Sequence, residues 1–102
     1  MAINKELYDK VFTFVEEAIR ELFPRTRHVV ISKDTSFKQD LNLDSLDGVD
    51  FLLYTEEQFN SSLMNDDNPE EKAMFQNAMS GTVDDMVKCL IALTEKKGIK
   101  WE

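Results

Sequence analysis

Cysteine and histidine each occur once in this chain of 102 residues, as Cys89 and His28, and there are only two prolines and three glycines. A single thiol excludes intramolecular disulfides and any zinc site built on several cysteines, and it fits a reducing compartment. With one imidazole, a zinc hydrolase would need a mostly carboxylate site, and a Ser-His-Asp triad would rest on His28 alone. Hydrolysis and a metal centre are therefore not expected. A run of about 18 apolar residues, the length that spans a bilayer, is also missing. The opening Met1-Ala2-Ile3-Asn4-Lys5-Glu6 turns polar at once, unlike a secretory signal. A cytoplasmic protein without a membrane span is expected.

Basic residues are missing from the middle third. Between Asp40 and Glu71 there are ten acids (Asp40, Asp44, Asp47, Asp50, Glu56, Glu57, Asp66, Asp67, Glu70 and Glu71) and no Lys or Arg, so this stretch carries the whole excess behind a net charge of −8. Nucleic acid is not expected as a partner, because phosphate binding needs clustered bases. Like charges crowded in this way repel, which leaves either a solvated face or a docking surface for a basic partner. What the chain does have is 42% apolar residues, enough for one core and a single domain over 1–102.

Periodicity predicts an all-α fold. From Asn4 to Phe23, Leu7, Val11, Phe14, Val15, Ala18, Ile19 and Leu22 recur at helical spacing until Pro24 stops the helix. Arg25 to Asp44 loses the pattern and reads as a long loop, with a β-branched run Val29-Val30-Ile31 and the anchors Phe37, Leu41 and Leu43. A second helix runs from Ser45 to Phe59, with Asp44 and Ser45 both suited to capping it and Gly48 weakening it slightly. Ser61 to Asn68 is a polar turn region that Leu63 and Met64 tie to the core. Pro69 opens a shorter third helix to Met79, and Thr82 caps a fourth whose face is Val83, Met86, Val87, Leu90, Ile91 and Thr94, ending at Lys96-Lys97-Gly98. The expected product is a four-helix bundle of three longer helices and one shorter, with a long first loop.

The segment Asp40-Leu41-Asn42-Leu43-Asp44 places oxygens as an EF-hand does at its first, third and fifth positions. The sixth position is Ser45 instead of glycine and the twelfth is Phe51 instead of glutamate, so the loop is not one. Ser45 lacks the flanking glycines of a nucleophile elbow, and acidic neighbours oppose an alkoxide. Cys89, His28 and the methionines Met64, Met74, Met79 and Met86 read as core, loop and adaptable core respectively.

The wider string from Ser36 to Asp50, with Asp44-Ser45-Leu46 opening the second helix, closely resembles the attachment site of acyl carrier proteins. Phe37 and Asp40-Leu41 upstream, Val49-Asp50, Glu56-Glu57 and Phe59 downstream, and Thr82-Val83 at the last helix extend the likeness over nearly the whole chain. The resemblance implies an acyl-carrier-like bundle, not an enzyme, with 4′-phosphopantetheine on Ser45 flanked by Asp44 and Leu46. It implies a monomer that shuttles thioester cargo among fatty-acid, polyketide or related lipid biosynthetic enzymes. Asp44, Asp47, Asp50, Glu56 and Glu57 would meet the basic docking surfaces of a phosphopantetheinyl transferase and of acyl-loading and acyl-processing enzymes. Asn42 stands where many carriers have glycine, Thr55 falls on a usually apolar position, and Gly48 is unusual inside the helix. The long Phe59 to Val83 interval and the tail ending in Trp101 also depart from the pattern and point to a specialised member. From the residues alone, an unmodified acidic helical interaction module remains the alternative, with a weak cation-binding domain behind it.

Overall fold

The structure, a computed structural model, describes residues 4–63 and 67–101, and all regular secondary structure among them is helical. Helices α1 (Lys5–Leu22), α2 (Ser45–Phe59), α3 (Pro69–Met79) and α4 (Val83–Lys97), with a 3₁₀ turn at Pro24–Thr26, form a small four-helix bundle. Asn4 starts α1 by accepting the Glu6 N–H at 2.7 Å, and the stripe Val11, Val15, Ala18 and Ile19 turns inward. On α4 the whole expected face is buried, joined by Cys89 and Leu93. Thr82 and Asp85 form a reciprocal capping box at its start, and Gly98 ends it at φ 72°, a left-handed conformation that glycine adopts without strain. Burial pushes the Cys89 thiol up to about 12, so it stays protonated and unreactive at neutral pH.

The long first loop is a packed irregular segment. Val29-Val30-Ile31 forms no strand: Ile31 is buried whereas Val30 is 85% exposed. Phe37, Leu41 and Leu43 are buried as expected. The loop also supplies acceptors that the first turn of α4 lacks. Thr35 O takes the Val83 N–H and Lys33 O the Asp84 N–H, each at 2.9 Å, while Phe37 N donates to Gly81 O. The beginning of α4 and the approach to α2 are thus one fastened unit.

In the second half, Leu63 is fully buried and its N–H donates to Glu56 Oε2 at 2.8 Å; Met64, expected beside it as a second anchor, lies outside the described residues. Asn68 caps α3 through the Glu70 and Glu71 N–H groups. Glu71, a surface acid by pattern, is buried and pairs with Lys96 at 3.1 Å and Lys97 at 3.8 Å, tying α3 to the end of α4. The tail folds back onto the last turns of α4. Trp101 meets Phe14 and Phe59 edge-on at centroid distances of 5.2 and 4.8 Å, and its Nε1 donates to Thr94 Oγ1. No helix of the described residues is long and apolar enough to cross a membrane.

Candidate functional site

Asp44 is the N-cap of α2 and Ser45 its first helical residue. The cap that the sequence leaves to either residue therefore belongs to Asp44: its Oδ1 accepts the Asp47 N–H at 3.0 Å, and Asp47 Oδ2 accepts the Asp44 N–H at 3.0 Å. The N–H donated by Asp47 is the chief reason the Asp44 carboxyl is held below the usual carboxylate range, with the Leu46 N–H and the positive charge of Arg25 adding to it. A depressed folded-state pKa means that the cap contributes its full stability above the ordinary carboxylate value and loses it progressively as pH falls from there through the lowered one. Ser45 is left exposed, and its hydroxyl makes no hydrogen bond among the described residues.

The five acids grouped by sequence fall into two kinds. Asp44 and Asp47 are engaged in the capping box, and Asp47 also pairs with Arg25 at 3.3 Å; Glu56 holds the Leu63 N–H. Asp50 and Glu57 are exposed, and their carboxylates have no ion-pair partner among the described residues. Asp50 and Glu57 are therefore the two acids offered to solvent without an internal structural task.

Ser45 borders an open groove of about 1280 Å³ between α2 and α3, walled by Leu52, Phe75 and Met79 and rimmed by Arg25, Lys38 and Lys72. The sequence between Asp40 and Glu71 has no base, but the fold delivers these from outside it. Leu46, Val49 and Leu53 of α2 also line this open groove and stay 72, 53 and 56% exposed. They give the helix an apolar stripe among its acids.

The three unusual residues near Ser45 have local explanations. A Cβ on buried Gly48 would lie 3.0 Å from Met79 Cγ, so glycine leaves room for the Met79 side chain of α3 against the first turn of α2. Thr55 is fully buried, yet its Oγ1 donates to Phe51 O at 2.9 Å, which satisfies the hydroxyl in an apolar position. Asn42 has φ 55°, in the left-handed region where glycine is most at ease and asparagine next. Replacing it with glycine should leave the chemical-denaturation midpoint nearly unchanged, whereas Asn42→Val should cost about 1–2 kcal/mol. Equal midpoints for the two variants would show that this turn does not require the left-handed conformation.

Comparison with protein-family models, curated proteins and solved structures returns no match.

Proposed function

We propose that this chain is a carrier domain of the acyl carrier protein type, modified on Ser45 and without catalytic residues of its own. The observation that carries the reading is Asp44-Ser45-Leu46 opening α2 of a four-helix bundle, with the serine hydroxyl exposed, unbonded and beside a partly apolar groove. A phosphodiester fits there. It would sit at the positive end of α2, and the nearest carboxylates, Asp44 and Asp47, are already engaged by helix N–H groups and Arg25. The Ser45 hydroxyl would displace the adenosine bisphosphate of coenzyme A, forming the Ser45 O–P bond as a P–O bond of the pyrophosphate breaks and the serine proton passes to a base of the transferase. When bound, 4′-phosphopantetheine supplies a terminal thiol that carries acyl or peptidyl cargo as a thioester. The chain itself presents Ser45, keeps α2 in place through the capping box, and offers Asp50 and Glu57 with the exposed Leu46, Val49 and Leu53 to enzymes that visit. Reversible docking of this kind suits a shuttle, because exposed charge speeds encounter more than it strengthens the complex. On this reading the protein acts among cytoplasmic lipid or polyketide biosynthetic enzymes.

Thiol counting under native conditions tests the reading. Buried Cys89 should leave the untreated protein nearly silent toward a thiol reagent. Treatment with coenzyme A, magnesium and a broad-specificity transferase, followed by desalting, should create one fast-reacting thiol in the wild type and none in Ser45→Ala. A treated wild type that stays silent would contradict the carrier reading and favour an unmodified interaction module.

A further inference from the structure

We propose that Arg25 is a positioning residue that holds the phosphate on Ser45 against the first turn of α2. The inference rests on the carrier reading and adds to it a residue from outside the attachment motif. Arg25 lies in the 3₁₀ turn that follows α1, yet its Nη2 donates to Asn42 O and to Asp47 Oδ2, both at 3.3 Å. Those two contacts fall on either side of Ser45 in the chain, and the guanidinium also lies 5.8 Å from the centre of the Phe23 ring. Arg25 is thereby held across the start of α2 while its side chain remains 55% exposed.

A guanidinium presents five N–H groups in a rigid fork that matches phosphate oxygens in pairs. Both bonds to the protein use Nη2, so Nη1 and Nε have no hydrogen-bond partner among the described residues. Arg25 and Ser45 line the same groove, and Lys38 adds a second cation to its rim. An exposed pair between Arg25 and Asp47 contributes little stability by itself. An arginine with donors to spare on the groove that Ser45 borders has a clearer use: it offsets the repulsion between a phosphodiester and the acids of α2. Lysine, a flexible point charge, would replace it only in part.

Wild type, Arg25→Ala and Arg25→Lys are to be loaded with coenzyme A and a transferase, verified by intact mass, and compared by phosphorus NMR and by melting with and without the arm. In the loaded wild type the phosphodiester resonance should be displaced from that of free phosphopantetheine and should move back toward it with added salt. In Arg25→Ala the displacement should be lost, and the melting difference between loaded and unloaded protein should shift against the loaded form; Arg25→Lys should fall between. A purely structural arginine would lower both melting temperatures equally and leave the resonance in place, which would overturn the proposal while sparing the carrier reading. Failure of the wild type to load would overturn both.

Discussion

Phe37→Ala is expected to destabilise the protein by about 3–5 kcal/mol, the range for emptying a buried phenylalanine site. Phe37 is fully buried although it belongs to the irregular first loop. Its N–H donates to Gly81 O and its carbonyl accepts the Leu43 N–H at 2.8 Å, so one residue joins the start of α4 to the turn that leads into Asp44 and Ser45. Neighbouring Thr35 and Lys33 carbonyls cap α4 directly, which leaves little freedom for the loop to close over the cavity. Urea unfolding followed by Trp101 fluorescence measures the loss, since Trp101 is the only tryptophan and packs between α1 and the end of α2. A loss below about 1 kcal/mol, far less than a phenylalanine cavity costs, would mean that the loop is not part of the core.

Reversing Asp50 and Glu57 together to lysine should reduce kcat/KM for the transferase by about tenfold at low salt, within the range attributed to electrostatic steering. The difference should fade as salt is raised, because charge separations beyond a few ångströms are screened at about 1 M. Stability should hold or rise slightly, since neither carboxylate has an ion-pair partner among the described residues and the reversal relieves repulsion. The same reversal at Asp47 or Glu56 would confuse docking with folding, because the first closes the capping box and the second holds Leu63. Unchanged kinetics at low salt would reduce the acidic face to a solvated surface.

The helices were legible because their signals are local. Apolar spacing, Asn4, Asp44 and Thr82 at N-caps, Pro69 at a first position and Gly98 at a terminus act within a few residues, and α2 and α3 have the bounds expected of them. What could not be read was mostly long-range. Whether an acid faces solvent or closes a cap depends on backbone geometry: Asp47 and Asp50 look alike in sequence, as do Glu70 and buried Glu71. The charge string showed a region without bases, but the placement of Arg25, Lys38 and Lys72 around the groove that Ser45 borders depends on how the first loop and α3 pack beside α2. The need for glycine or asparagine at position 42 became visible only with its positive φ, although an asparagine two residues before an N-cap was the available signal. The Trp101 clasp likewise depends on contacts with Phe14 and Phe59 from two other helices.

Intact mass spectrometry of wild type and Ser45→Ala, each treated with coenzyme A, magnesium and a broad-specificity transferase, decides whether Ser45 is the attachment site. Because Asp44 provides the cap, Ser45→Ala should remain folded, with an unfolding midpoint close to that of wild type, and the comparison isolates the hydroxyl. The wild type should gain the mass of one phosphopantetheine, fragmentation should place it on Ser45, and folded Ser45→Ala should gain nothing. An unmodified wild type, or an adduct that persists in Ser45→Ala, would contradict that assignment.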